Sequence, residues 1–135
     1  MPVRNERVIQ PQTQKSIRVS AAELAAITGT NTGSLVLDSL PAGQAIEEAA
    51  VIVHTPVAGT SITAATVQLA VNSANLLANA ANVFIATRTN YSTNCNVSKT
   101  ANANITLVLT TTGANMSAIN AGDIEIVLKT VPVLV

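Results

Sequence analysis

Ile105-Thr106-Leu107-Val108-Leu109-Thr110 decides the fold. Ile105, Leu107 and Leu109 alternate with Thr106, Val108 and Thr110. Successive side chains on a strand point to opposite faces, so this spacing predicts a strand with one aliphatic face. The same period recurs on both sides of it. Val67, Leu69 and Val71 oppose Thr66, Gln68 and Ala70 within Ala65–Asn72. Ile124, Ile126 and Leu128 oppose Glu125, Val127 and Lys129. Leu35 and Leu37 alternate with Ser34, Val36 and Asp38. The longest candidate is Ala45–Val57, which ends near Pro56.

Turn chemistry separates these runs. Thr28-Gly29-Thr30-Asn31-Thr32-Gly33, Leu40-Pro41-Ala42-Gly43, Ala58-Gly59-Thr60-Ser61 and Thr112-Gly113-Ala114-Asn115 all carry turn residues. Short alternating strands broken by Gly, Pro and Asn at intervals of roughly ten residues predict an antiparallel sandwich or barrel. No strand–helix–strand rhythm appears, which disfavours a parallel sheet. Ser20-Ala21-Ala22-Glu23 matches a capping box, and Leu24 and Ile27 follow before Gly29, so a helical turn or two is expected there. Asn72–Ala86 is ambiguous between short helix and loop, followed by a strand through Val83–Thr87. Asn90–Asn104 reads as an exposed loop with at most one weak strand, and Ala118–Gly122 as a connector. The apolar run Val131–Val135 is expected to dock on its own domain or on a neighbour.

Residues 1–20 show no amphipathic period and read as an extended arm, with a short strand possible at Ile17–Val19; residues 21–135 form the expected sandwich domain. Arg4, Arg7, Lys15 and Arg18 oppose a single acid, Glu6, in the first eighteen residues. The rest of the chain is acidic by the same margin, since the formal net charge is +0. A basic segment on a mildly acidic body reads either as a docking arm or as a solvated terminus. Arg4, Arg7, Lys15 and Arg18 are thus the candidate partner-contact residues.

Only 10% of the 135 residues are charged while 48% are hydrophobic. Soluble domains are commonly about 25% charged. A polar but nearly uncharged surface suits protein packing, because few ions must be stripped of water. Phe84 and Tyr91 are the only aromatics. That argues against carbohydrate platforms and single-strand nucleic-acid readers, which stack rings on their ligands. A duplex-binding role would want a concentrated basic face, and the acidic body opposes one. No run of about twenty apolar residues exists, so no transmembrane helix is expected. Met1–Glu6 lacks the apolar stretch of a secretory signal, and synthesis in the cytoplasm is expected.

His54 is the only histidine and sits in an apolar strand run, where a structural role is favoured over catalysis. With one histidine and one cysteine, Cys95, neither a zinc site nor an internal disulfide is expected. No basic neighbour adjoins Cys95 to activate the thiol. Glu47 and Glu48 would diverge as strand neighbours, and suit a charged sheet edge better than an acid–base pair. No catalytic residue, metal or cofactor is expected, and the chain reads as a non-enzyme.

The order of these pieces resembles small β-sandwich structural proteins of bacteriophage virions. The resemblance runs over about residues 34–130: Leu40-Pro41-Ala42-Gly43 leading into Ile46–Val53, then Thr66–Val71, Leu76-Leu77-Ala78, Ala103–Leu109 and Ala121–Leu128. It implies an all-β, antiparallel, jelly-roll-like sandwich. It also implies capsid decoration, or cement, of the outer head surface, with the major capsid protein as partner and often a homotrimer. Head-fibre, tail and connector components share the pattern. A non-viral adhesin or binding module is the reading from another class; it would want aromatic or carboxylate-rich loops.

Overall fold

A computed structural model describes residues 13–72, 74–77, 79–85, 88–98 and 101–132; for 88–98 the description concerns the backbone. The chain forms strands β1 (Thr13–Ser20), β2 (Thr32–Leu40), β3 (Gln44–Gly59), β4 (Ala64–Val71), β5 (Ala74–Asn75), β6 (Ala81–Asn82), β7 (Arg88–Ser98), β8 (Ala103–Thr112) and β9 (Ile119–Pro132). A five-residue helix, α1 (Ala21–Ala25), follows β1, and a 3-10 turn at Met116–Ala118 precedes β9.

Every pairing is antiparallel, and the hairpin pairs β1–β9, β2–β8, β3–β7 and β4–β5 nest. Thr13 faces Thr130, Thr32 faces Thr110, Gln44 faces Ser98, and Ala70 faces Asn75. The chain is therefore one long hairpin folded about the turn after Val71 and then rolled up. Rolling separates it into sheet A, ordered β1-β9-β3-β7, and sheet B, ordered β2-β8-β4-β5 with β6 also on β4. With β5 and β6 counted as one interrupted strand, each sheet has four strands and the winding is that of a jelly roll. The all-β sandwich expected from the alternation is the fold observed.

The inward faces explain why the two sheets stack. Ile124, Ile126 and Leu128 of β9 and Ile46, Val51 and Val53 of β3 face Ile105, Leu107 and Leu109 of β8 and Val67, Leu69 and Val71 of β4. All are buried. Aliphatic chains with few rotamers fill the layer, and the ring of Phe84 packs against it, partly buried. Near α1, Leu24 and Met116 are fully buried against the core. Ser20 caps α1 as the sequence predicts: its Oγ accepts from the Glu23 N–H at 3.3 Å, and the Glu23 carboxylate accepts from the Ser20 N–H. Gly33 is required beside this plug, because a Cβ there would run into the Thr28 carbonyl and the Ile27 side chain.

Several expectations meet a different structure. Thr13–Ser20 is not arm: it pairs with β9 over its whole length, and Val19 is buried. Residues 1–12 lie outside the described residues. Asn72–Ala86 contains no helix in its described part. There Leu76 and Leu77 turn into the core between β5 and β6, and Gln68 Oε1 accepts from the Leu77 N–H at 3.0 Å in place of a continuous ladder. Val83 is buried but stands outside any strand; residues 86 and 87 of that expected strand lie outside the described residues. The expected loop at Asn90–Asn104 is largely β7, paired with β3. The expected connector Ala118–Gly122 is mostly the start of β9, and Val131 and Pro132 end it against Ala45 and Gln44. Residues 133–135 of the apolar tail lie outside the described residues.

Glu47 and Glu48 also differ from expectation. β3 lies between β9 and β7, so the pair is not at a sheet edge. Both ladders skip Glu47, which is the extra residue of a bulge. The bulge resets the alternation: Ile46 and Ala49 are both buried, and both glutamates are exposed.

Candidate interaction surfaces

The outward face of sheet A is a field of ion pairs. Arg18 of β1 donates to both carboxylate oxygens of Asp123 of β9, with Nε 3.0 Å from Oδ1. His54 Nε2 of β3 lies 2.7 Å from Glu125 Oε1. Lys129 Nζ lies 2.8 Å from Glu48 Oε2. The register sets two of these contacts, since Glu48 stands opposite Lys129, and Arg18, opposite Glu125, lies diagonal to Asp123 two residues along the same face. At the flank of the sandwich Lys15 Nζ reaches Asp38 Oδ2 of β2 at 2.6 Å, which ties one sheet to the other.

These contacts shift the ionisations in the direction of pairing. The Arg18 hydrogen bonds hold the Asp123 carboxyl below the usual range. The His54 contact, with a hydrogen bond from Ser16, does the same for Glu125. Lys15 and the Ser39 N–H lower Asp38, and Glu48 raises Lys129.

Among the described residues the outward face of sheet B carries no ion. Its strands contain one charged residue, Asp38, which turns away toward Lys15. Across β2, β8 and β4 the outward positions read Thr32, Thr110, Thr66; then Ser34, Val108, Gln68; then Val36, Thr106, Ala70. Val36 is 57% exposed.

Of the four candidate contact residues, Arg4 and Arg7 lie outside the described residues. Lys15 and Arg18 stand on β1, each engaged by an acid of the body. Sequence reasoning placed these cations but not their partners, 23 and 105 residues away. It also missed the segregation of charge between faces, whose only signal was the charge-free composition of Ala64–Val71 and Ala103–Thr112.

At His54 the shared group is the carboxylate of Glu125. Ser16 and His54 both approach Glu125, so the carboxylate lies between hydroxyl and imidazole. A nucleophile–base–acid relay needs the imidazole in the middle. Among the described residues no group of three His, Cys, Asp or Glu is placed to hold a metal ion. No described helix is long and apolar enough to cross a membrane. A cleft of about 230 Å³ opens between the sheets at the Lys15–Asp38 bridge, over Leu40, Ile105, Leu128 and Thr130. It is smaller than the roughly 300–1,000 Å³ usual for ligand pockets.

No family model and no curated protein matches the sequence. A solved structure described as the acidic stable capsid structure of Helicobacter pylori bacteriophage KHP30 matches with 13% identity and a TM-score of 0.48, covering 91% of this chain and 93% of that chain. At that identity and TM-score the likeness is too loose to bear on function.

Proposed function

We propose that this chain is a non-enzymatic structural protein of a phage virion, of the decoration or cement type, which binds the outer surface of an assembled head. The observation that carries this reading is the combination of a rolled jelly roll with an aliphatic core and an outward face on which the described residues place no ion. Such a surface offers shape and hydrogen bonds, and it can be covered without stripping water from a charge. The resemblance of residues 34–130 to virion β-sandwich proteins supports the same assignment.

In this reading the sandwich bridges neighbouring major capsid subunits, and copies of the chain self-associate. A protein that binds only the assembled shell stabilises it by mass action. Many weak contacts on one particle sum through effective concentration. Arg4 and Arg7, ahead of β1, contribute encounter and register through charge more than affinity. Lys15 and Arg18 contribute less, because Asp38 and Asp123 already hold them.

The test is a pair of truncations assayed for co-sedimentation with heads of the virus that encodes the chain. Removing residues 2–12 leaves every β1–β9 pair in place, so binding weakens while the melting temperature holds. Removing residues 2–18 deletes most of β1 and lowers the melting temperature as well. Purified particles that contain none of this polypeptide would overturn the reading. Immunolabelling confined to one vertex would move it to a fibre, tail or connector, whereas label over the faces supports decoration.

A further inference from the structure

We infer that copies of this chain meet one another through the outward face of sheet B. Three observations converge there. The first is charge. Among the described residues the outward positions of β2, β8 and β4 are Thr, Ser, Val, Gln, Ala and Asn, and the lone acid of these strands is already paired with Lys15. Covering this face strands no ion, and hydroxyl groups can rotate to donate or accept across the contact. Covering the outward face of sheet A would desolvate Arg18, Asp123, Glu125 and Lys129 instead.

The second is size. The three full strands of sheet B, eight to ten residues each, are about 30 Å long and span about 14 Å, so with the interrupted β5–β6 row the face offers roughly 500 Å² per copy. Two copies would bury about 1,000 Å², the lower bound of a biological contact and the size of a weak, reversible one.

The third is the adjoining edge. β2 ends the sheet, and it has no strand neighbour on its outer side among the described residues. Natural sheets guard such an edge with charge, proline or bulges. β1, an edge of sheet A, carries Lys15 and Arg18. β2 is guarded only toward its end, by the bulge at Leu37 and by Asp38; from Thr32 to Val36 it carries no charge, proline or bulge, and it exposes Val36.

A second copy is the occupant these features fit. A neutral face meets itself without like-charge repulsion in any rotation, and symmetry repeats every favourable contact. Side chains as small as Ser, Thr, Ala and Val let sheets approach to the roughly 10 Å spacing of the domain's own layers.

The test is analytical ultracentrifugation of the full chain across a concentration series. Wild type is compared with Thr106→Lys at the face centre, Val36→Lys at the exposed edge, and Val127→Lys on the outward face of sheet A. Val36 projects into solvent, so its substitution keeps the fold even where Thr106→Lys does not; circular dichroism checks both. Wild type should associate. Each sheet B charge should raise the dissociation constant at least about thirty-fold, and Val127→Lys should leave it unchanged. A wild type that stays monomeric throughout, association that survives both sheet B charges, or association lost in Val127→Lys would overturn the inference. A charged face that leaves the oligomer intact does so whether or not the protein binds a shell.

Discussion

The two sheets share one core and differ on their outer sides. Outside sheet A, Arg18–Asp123, His54–Glu125 and Lys129–Glu48 cross between neighbouring strands. Outside sheet B, threonine, serine and valine cross between strands, without an ion among the described residues. Exposed ion pairs contribute little to stability, commonly about 0–1 kcal/mol each. Their presence on one face therefore says less about holding the fold than about what each face can touch. The sheet A side is content with water. Among the described residues the sheet B side has no charge to keep a neighbour away.

The comparison assigns the fold's stability to the layer the sheets share, and that can be broken first. Leu107→Ala removes a fully buried side chain from sheet B, and Ile126→Ala one from sheet A. Each should cost about 2–5 kcal/mol by urea denaturation, through lost transfer energy and the cavity left behind. A cost below about 1 kcal/mol at either position would mean that this sheet is not packed on the other as described.

Acid sharpens the comparison from the other side. Asp123 and Glu125 titrate below their ordinary range because Arg18 and His54 hold them. For such a group the stabilisation is present above the unfolded pKa, about 4, and is lost as pH falls through the lower folded value. Lys129 runs the opposite way: its pKa is raised, so its contribution is present below about 10.4 and is lost as pH rises through the folded value. Stability measured downward from pH 6 should hold until about pH 4 and then decline. Asp123→Asn combined with Glu125→Gln should flatten that decline, and neutral substitutions at Thr106 and Thr110 should leave it alone. An unchanged acid slope in the double variant would show that the sheet A pairs do not set it.

Much of the fold was legible because its signals are local. The capping box needs only Ser20 and Glu23, and the helix forms where they stand. Alternation along Thr66–Val71 and Ile105–Leu109 named two strands of sheet B with their inward faces. β7 was missed because Asn90, Ser92, Asn94 and Asn96 weight the segment toward loop, although Tyr91, Cys95 and Val97 alternate with them. The bulge at Glu47 was invisible because it depends on two partner strands, β9 and β7, and not on residue type. Lys15 and Arg18 were read as arm because their acids lie far along the chain, and only the rolled hairpin brings Asp38 and Asp123 to them. The same long-range nesting decides which strands share a sheet. The charge-free face was therefore spelled out in the sequence but could not be assembled from it.

The most direct measurement of the central claim is the salt dependence of self-association, followed by sedimentation equilibrium from low to high sodium chloride. Contacts made by a face without ions are barely screened, so the dissociation constant should change by less than about three-fold. Contacts made through ion pairs weaken as salt screens them, and a loss of affinity of about ten-fold or more would contradict the account.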